Sequence, residues 1–255
     1  MKPAINSLDL ILAQFQSDKE RFQEISDQNN IHLCGNLKFD QDVPSELEEI
    51  SRTIREEWSL DGKNRPTLIA ASTHQGEEEI VLNAFKNILR KSPNSLLILV
   101  PRHLERFDTV KKIVRDSGLI MASRSKKTEV VPRTQVLLGD TIGELNFLYS
   151  LSDIAFIGGS LIDHGGQNLL EPSAQHLPLL SGPSLRNFYD ISKQLIEKDG
   201  LEIIYNSDDL SDKFIQYIKN SADLRRRGDA AFEVFMSNRG ALNIILDHLQ
   251  EPLNS

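Results

Sequence analysis

Residues 154–172, with the sequence IAFIGGSLIDHGGQNLLEP, decide the fold because they run from a strand through a glycine-rich turn into a helix. The opening IAFI is continuously apolar, which is typical of a strand covered on both faces of a parallel sheet. Glycine permits backbone conformations and close approaches that other residues resist. The turn contains Gly158, Gly159, Gly165 and Gly166. We therefore expect the backbone here to come close to a ligand, with exposed amide groups facing it.

The end of this stretch predicts a helix that opens near Asn168. A helix start directs unpaired N–H groups and the positive end of the helix dipole at an anion, so a phosphate ester would fit. Glu171 in the first turn could accept hydrogen bonds from ribose hydroxyls. An ordinary helix start with flexible glycines is the alternative, but the glycines together with Asn168 and the Glu-Pro pair favour a ligand site.

Three further segments repeat this passage from strand to helix. TLIAAS (67–72) is followed by THQGEEE, LLILV (96–100) by PRHLERF, and QVLLG (135–139) by DTIGEL. Open α/β folds bind ligands in the crevice outside the carboxyl ends of their parallel strands. If these strands are parallel, their loops share that edge of the sheet. One cleft could then collect them all.

Alternating strand and helix patterns extend along almost the whole chain, as in a doubly wound parallel sheet. The fold class predicted is therefore α/β, with a Rossmann-like sheet. The predicted strands are 8–15, 31–35, 67–72, 96–101, 120–124, 135–139, 154–158, 177–181 and 201–205. The predicted helices are 18–26, 45–58, 77–91, 104–117, 142–151, one from about 168, 189–198, and a helical tail broken near Ser221.

Composition sets limits on the class of protein. The 255 residues are 39% hydrophobic, which is enough for a sizeable core, and they include one cysteine, Cys34, which we expect to be a small buried side chain. No apolar stretch reaches the length of a membrane span and no signal peptide is recognisable, so the prediction is a soluble, cytoplasmic protein. The net charge of −8 argues against a general nucleic-acid binder. Basic residues gather locally instead, which suits a small anionic ligand.

Several familiar catalytic and metal-binding patterns are missing. There is no GxGxxG fingerprint and no P-loop, and Ser160 is not in a nucleophile elbow because Ile162 stands where that motif needs glycine. The histidines are scattered along the sequence, and only Asp40 and Asp42 resemble a cation clamp. We interpret that pair as part of a plain loop, and the run from Arg124 to Lys127 as a solvated loop. No metal and no cofactor are therefore expected.

A set of motifs resembles one known family. GNLKFD (35–40), ASTHQGEE (71–78), VPRHLERF (100–107), GDTIGEL (139–145), FIGGSL (156–161), GGQNLLEP (165–172), and GP followed by NF (182–188) are similar, in this order, to the C-terminal half of the 3-deoxy-D-manno-octulosonic acid (Kdo) transferases. The resemblance implies the C-terminal domain of a GT-B glycosyltransferase. Three positions depart from the commoner family pattern, where Gln167 replaces histidine, Leu104 replaces proline and Ile142 replaces methionine.

The resemblance also implies a reaction and a location. Family enzymes transfer Kdo from CMP-Kdo to a lipid A precursor in lipopolysaccharide biosynthesis, as inverting transferases without a metal. Full-length members carry a further N-terminal domain that holds the acceptor site, the membrane-facing surface and the catalytic base. We therefore interpret residues 1–30 as a remnant of that domain with its linker, and residues 31–255 as the CMP-Kdo-binding domain. On this interpretation the chain has no catalytic residue of its own. It binds CMP or CMP-Kdo without transferring Kdo, and in the full-length protein it lies in the cytoplasm at the inner face of the inner membrane.

The predicted substrate-binding residues lie in the strand-to-helix loops and in GNLKFD. They are Lys38, Ser72, Thr73, His74, Arg102, His103, Ile142, Gly143, Gly158, Gly159, Ser160, Gly166, Asn168 and Glu171. Arg102, with Lys38, would balance the phosphodiester and the carboxylate of CMP-Kdo, although Arg102 could instead be a surface arginine that caps a helix. Ser160 and Asn168 would contact phosphate.

The remaining roles are less direct. Ser72 and Thr73 could equally be helix N-caps, with a capping-box acid at Glu77 or Glu78. The resemblance implies that Ile142 and Gly143 lie near the cytosine edge. Two rival functions stay open at this point, namely the donor domain of another GT-B enzyme, such as a UDP-sugar transferase or epimerase, and a nucleotide-binding module without chemistry.

Overall fold

A computed structural model of the chain describes residues 2–27, 29–40, 44 and 46–253. The chain divides into two compact units, a smaller one of residues 1–42 and 235–255 and a larger one of residues 43–234. The strands are β1 (Ile11–Ala13), β2 (Ile31–Leu33), β3 (Thr67–Thr73), β4 (Leu96–Pro101), β5 (Met121–Ser123), β6 (Val136–Leu138), β7 (Ile154–Ile157), β8 (Leu179–Ser181) and β9 (Leu201–Ile203).

The helices alternate with these strands. They are α1 (Lys2–Ile5), α2 (Gln16–Ile25), α3 (Glu46–Glu57), α4 (Glu77–Lys91), α5 (Phe107–Asp116), α6 (Leu145–Ser150), α7 (Leu170–Ser173), α8 (Tyr189–Glu197), α9 (Ser207–Lys219), α10 (Ser221–Ser237) and α11 (Ala241–Leu253). Short 3-10 turns cover Leu37–Asp40, Leu104–Arg106 and Arg186–Phe188.

The smaller unit contains β1 and β2 as a parallel pair. The carboxylate of Asp40 accepts hydrogen bonds from the amides of Gly240 and Leu242, each at 2.6 Å, so this side chain caps the start of α11. Asp40 is thus a helix cap, and a bound cation is not needed to explain its position. Asp42 lies outside the described residues. Cys34 is buried with a free thiol, which confirms its predicted role.

Among the described residues, the larger unit holds a seven-stranded sheet in the order β5-β6-β4-β3-β7-β8-β9, with every pairing parallel. The predicted doubly wound α/β sheet is confirmed. Chain order reverses between β3 and β7, so these two central strands form the topological switch point of the fold. We call the space outside their carboxyl ends, where open α/β sheets bind ligands, the crevice.

The core forms because the central strands are apolar on both faces. Leu68, Leu97 and Phe156 are fully buried in the sheet, and Phe85 of α4 and Phe214 of α9 are fully buried in helices that contact each other. Burying one such side chain contributes about 1.5–3 kcal/mol. The sheet is therefore a rigid support for the loops at its carboxyl edge.

Some boundaries differ from those predicted. The predicted strand 8–15 is only three residues long, and the helix predicted from about 168 is the single turn α7. The predicted helix 104–117 opens as a 3-10 turn before α5, and the helical tail is interrupted a second time after Ser237. No helix within the described part of the chain is both long and apolar enough to cross a membrane.

Candidate functional site

Gly158 lies where β7 ends beside β3 at the switch point. Its amide donates to the carbonyl oxygen of Ala71 at 2.8 Å. A Cβ atom on Gly158 would stand 2.5 Å from the carbonyl oxygen of Ser72 and 2.7 Å from the Cα of Thr73. Glycine is therefore required here by the close approach of two strands, which corrects the expectation that Gly158 makes room for a ligand.

The amides that follow Gly158 are occupied by a side chain from α4. The fully buried carboxylate of Glu77 accepts hydrogen bonds from the amides of Gly159 at 2.7 Å, Ser160 at 3.0 Å and Leu161 at 3.0 Å. It also accepts one from the amide of His74 at 3.0 Å. The prediction of exposed amides facing a ligand is therefore wrong for these residues, because an internal carboxylate already takes the place of an anion.

Ser160 is also committed within the protein. Its hydroxyl donates to the carbonyl oxygen of Ile157 at 2.5 Å and accepts from the amide of Gly182 at 2.8 Å, and the residue is fully buried. The buried amide of Gly166 donates to the carbonyl oxygen of Gly159 at 2.8 Å. The hydroxyl of Ser160 is thus not free for the predicted phosphate contact, and the amide of Gly166 is used within the loop.

The loop after β3 differs from its predicted capping pattern. Helix α4 begins at Glu77 with Gly76 as N-cap, so neither Ser72 nor Thr73 is the N-cap. Glu77, one of the two predicted capping-box acids, is the first residue of α4 and accepts from the amide of His74, which precedes the helix. Glu78 is also fully buried and accepts from the hydroxyl of Thr73 at 3.0 Å.

Three histidines that the sequence scatters meet at the switch point. The ring of His74 stacks on that of His164 with centroids 4.4 Å apart and contacts that of His103 edge-on at 5.3 Å. We call these three residues the histidine cluster. The pKa of His74 is lowered to about 4, mainly by burial and to a smaller extent by the neighbouring His164, His103, Arg102 and Arg106. His74 is therefore a neutral imidazole at neutral pH.

The histidine cluster does not form a metal centre. Within the described residues, no group of three or more His, Cys, Asp or Glu side chains is arranged to hold a metal ion. Gln167 contacts the histidine cluster, since its Nε2 lies 3.0 Å from Nε2 of His74. With the amide oriented so that Gln167 donates, His74 accepts at Nε2 and carries its proton on Nδ1.

The loop after β4 holds one arginine in the interior and leaves another exposed. Arg106 forms two hydrogen bonds with the buried carboxylate of Glu78, at 2.5 and 3.1 Å. Arg102 is exposed, and its amide donates to the carbonyl oxygen of Thr73 at 3.0 Å. Its guanidinium makes no hydrogen bond or ion pair with the described part of the chain. Arg102 is therefore an exposed cation directly after β4, and its contact with a ligand stays a prediction.

Asn168 and Glu171 form a small polar pair at the start of α7. The amide group of Asn168 donates to Oε1 of Glu171 at 2.8 Å, and its oxygen accepts from the amide of Leu170 at 2.9 Å. The side chain of Asn168 is thus hydrogen-bonded within the turn that was expected to bind an anion. Burial raises the pKa of Tyr149, and the nearby Glu171 carboxylate raises it further. Both members of the pair are half-buried, and Oε2 of Glu171 makes no hydrogen bond to a described residue.

The loop after β6 borders a cavity of about 790 Å³ lined by residues that include Trp58, Arg124, Thr141 and Glu144. Arg124 pairs with Glu144 at 2.7 Å and lies over the ring of Phe147, so the solvated-loop interpretation is wrong for Arg124. The hydrogen bond from Arg124 is the main cause that lowers the pKa of Glu144.

The tip of the same loop is open. Ile142 is 73% exposed, and Gly143 has a φ of +77° with no atom near its missing side chain. These two residues can therefore contact a ligand without rearrangement. Lys38, by contrast, is an exposed residue of the smaller unit, and its predicted contact with a ligand stays a prediction.

The family model described as 3-deoxy-D-manno-octulosonic-acid transferase matches residues 1–41. The chain is 39% identical over 250 residues to the 3-deoxy-D-manno-octulosonic acid transferase of Haemophilus influenzae, covering 97% of this chain and 58% of that protein. It is 32% identical over 257 residues to the enzyme of the same name from Bordetella pertussis, covering 99% and 59%. The chain thus spans less than two thirds of the length of these relatives.

Two solved structures are also similar. The C-terminal CMP-Kdo binding domain of WaaA from Acinetobacter baumannii superposes with a TM-score of 0.69 at 32% identity, covering 74% of this chain and 97% of that one. Anabaena Alr3699/HepE in complex with UDP-glucose gives a TM-score of 0.60 at 13% identity, covering 99% and 66%. The second similarity concerns the fold alone.

Proposed function

This chain belongs to the 3-deoxy-D-manno-octulosonic acid transferase family, and from that premise we propose that its larger unit binds the donor nucleotide sugar CMP-Kdo. Its fold is that of the C-terminal domain of a GT-B glycosyltransferase. The observation that carries the proposal is the 32% identity to a CMP-Kdo binding domain, 97% of which the chain covers.

The charge at the switch point supports this ligand. CMP-Kdo carries one phosphodiester and one carboxylate, so its site needs cationic groups that are not already paired. Arg102 supplies such a group at the carboxyl edge of β4, beside the histidine cluster. Open α/β folds bind ligands at this edge. We therefore assign the anionic centre of the donor to Arg102 and the cluster, and no longer to the amides that Glu77 occupies.

The nucleoside would be held by the loops on either side. The free oxygen Oε2 of Glu171 would accept from a ribose hydroxyl, with Asn168 fixing the orientation of the carboxylate. The exposed backbone at Ile142 and Gly143 would face the cytosine, where peptide groups can select a pyrimidine. These roles would use the free oxygen of Glu171 and the exposed backbone at Ile142 and Gly143.

The proposal extends to the parent reaction. A protein containing this chain would transfer Kdo from CMP-Kdo to a lipid A precursor in lipopolysaccharide biosynthesis, at the inner face of the inner membrane. Residues 1–30 would be the remnant of an N-terminal domain with its linker, and residues 31–255 the domain that includes the donor-binding larger unit. By resemblance to the family, the acceptor site and the catalytic base would then lie in that other domain.

Calorimetric titration with CMP, UMP and CMP-Kdo tests donor binding. We expect CMP and CMP-Kdo to bind and UMP to bind more weakly. Glu171→Ala should weaken CMP binding by about 1–3 kcal/mol, since a hydrogen bond to a charged group is lost. Glu56→Ala, which removes an exposed acid from α3, is the matched control. Equal affinity for UMP would favour a UDP-sugar enzyme, and an unchanged affinity in folded Glu171→Ala protein would remove Glu171 from the site.

A second assay tests the assignment of catalysis to another domain. Transfer requires a base, an oriented acceptor hydroxyl and the donor to be held together, and its rate collapses when one of them is absent. We expect the purified chain, incubated with CMP-Kdo and a lipid A precursor, to give no Kdo-modified lipid above a protein-free control. Product well above that control would show that the base lies within these 255 residues.

A further inference from the structure

Glu77 is a fully buried acid at the switch point. A buried carboxylate is strongly unfavourable unless hydrogen bonds compensate its lost hydration. Here four backbone amides, and no cationic side chain among the described residues, provide that compensation. Because such an arrangement is costly for packing alone, the carboxylate is expected to hold other groups in place.

The two oxygens of Glu77 divide the four amides between them. Oε1 accepts from Ser160 and Leu161, and Oε2 accepts from Gly159 and His74. Three successive amides converging on one point form a nest, a backbone arrangement that commonly binds an external anion. In this protein the nest is filled by a side chain that lies 82 residues away from Gly159 in sequence.

These hydrogen bonds join the two loops that carry His74 and His164 of the histidine cluster. His74 lies on the loop after β3 and His164 on the loop after β7, and their rings stack at 4.4 Å. Thr73, the last residue of β3, also accepts a hydrogen bond from the amide of Arg102 at 3.0 Å. A displacement of Glu77 would therefore move the groups to which the anionic centre of the donor is assigned.

We propose that Glu77 is a positioning residue for the donor site, whose carboxylate clamps the loops after β3 and β7 together and thereby sets the affinity for the cytidine nucleotide. The proposal rests on the proposed donor-binding function. Glu77 touches no ligand in it and acts only through His74, Arg102 and the glycine-rich loop.

Glu77→Gln is a sharp test because it preserves the size of the side chain and removes half of its accepting capacity. The new NH₂ group would face two amide donors and could accept from neither. The matched control is Glu79→Gln, which makes the same change of charge two residues further along α4, at an exposed position. Leu82→Ala, a buried apolar change on the same helix, serves as a control for lost stability.

We expect Glu77→Gln to weaken CMP binding roughly tenfold or more, because buried donors without acceptors force the loops to rearrange. Glu79→Gln and Leu82→Ala should bind CMP as the unmodified chain does, although Leu82→Ala is less stable. In ¹H–¹⁵N spectra of the ligand-free protein, Glu77→Gln should shift the amide signals of Gly159, Ser160 and Leu161, whereas the two controls should not. Loss of stability alone would not produce that spectral pattern.

Unchanged CMP affinity in folded Glu77→Gln protein would overturn the proposal, as would an equal loss in Leu82→Ala. If Glu77→Gln does not fold, measurements on the unmodified chain test the proposal instead. Slow hydrogen exchange at Gly159, Ser160 and Leu161, with shifts of the His74 ring signals on adding CMP, supports the clamp, and fast exchange at these amides contradicts it. If the unmodified chain binds no CMP, donor binding fails, while the exchange and the amide signals still report on the clamp by themselves.

Discussion

His74 should make the stability of the larger unit depend on pH. Burial is the main reason that its pKa falls to about 4, and the neighbouring rings and arginines add to the effect. In the unfolded chain the same imidazole titrates near its ordinary pKa of about 6.5. As the pH falls from about 6.5 to about 4, the unfolded chain therefore takes up a proton that the folded protein does not, and stability is lost. Below about 4 both states bind the proton and the loss from this residue stops.

The size of the effect follows from the two pKa values. A fall from 6.5 to about 4 corresponds to at most about 3–4 kcal/mol, at about 1.4 kcal/mol for each pKa unit. We expect about 1–2 kcal/mol, because Arg102 and His103 are exposed and solvent screens their interaction with the ring. A bound nucleotide would oppose the effect, since a phosphate beside His74 favours its protonated form.

Urea unfolding at a series of pH values measures how the free energy of unfolding depends on pH, with Trp58 fluorescence and circular dichroism as probes. The free energy of unfolding of the unmodified chain should fall more steeply between about pH 6.5 and 4 than that of His74→Gln, and saturating CMP should reduce the difference. His176→Gln is the control because it removes an exposed imidazole outside the histidine cluster. Identical pH profiles for His74→Gln and the unmodified chain, or a His74 ring that titrates near 6.5 in the folded protein, would refute the reasoning.

Two further variants test the crevice. Gly158→Ala should destabilise the larger unit by about 3 kcal/mol, because its Cβ would stand 2.5 Å from the carbonyl oxygen of Ser72. In the same urea assay Gly62→Ala, at a positive φ but with open space around it, should cost only about 1 kcal/mol, and equal effects would contradict the steric explanation. Arg102→Ala should weaken CMP-Kdo binding by about 2 kcal/mol and reduce its salt dependence, as measured by calorimetry over a salt series. Arg133→Ala, another exposed arginine, should leave both unchanged, and a salt profile of Arg102→Ala that matches the unmodified chain would place Arg102 outside the site.

The sheet could be predicted because its signals are local. The prediction of α4 at 77–91 and β4 at 96–101 agrees with the observed bounds. In α4 the apolar residues recur with a helical period after a run of acids, and β4 is an unbroken apolar run that a covered parallel strand requires. The three-residue β1 and the single turn α7 were predicted too long, since their ends depend on pairing and capping that the local pattern does not record.

The candidate site could be predicted only to the level of its loops. The strand-to-helix pattern placed Arg102 and Glu171 at the carboxyl edge of the sheet, but it could not show that a distant carboxylate fills the glycine-rich turn. The sequence predicts Glu77 only as a capping acid. One of its four hydrogen bonds, from the amide of His74, is local, whereas the other three come from a distant loop. His164 was missed for the same reason, since its neighbour His74 comes from another loop. The sequence carries one signal of the contact between Glu77 and the glycine-rich turn. An acid, Glu77, begins the helix that follows β3, and a glycine pair, Gly158 and Gly159, follows β7.

The pairing of β3 with β7 also has a consequence for the order in which the chain assembles. Strand β3 pairs with two other strands. It pairs with β4, the next strand in sequence, through Leu68 and Leu97, and with β7, which comes much later, through Leu68 and Ile154. Contacts between distant segments form late because a long loop must close first. During synthesis at roughly 5–20 residues per second, the 82 residues between Glu77 and Gly159 take roughly 4–16 s to emerge. Until then Glu77 has only the nearby amide of His74 as a donor, and a buried position for its carboxylate would be unfavourable. We therefore expect the start of α4 to stay open to water during synthesis until β7 has been made.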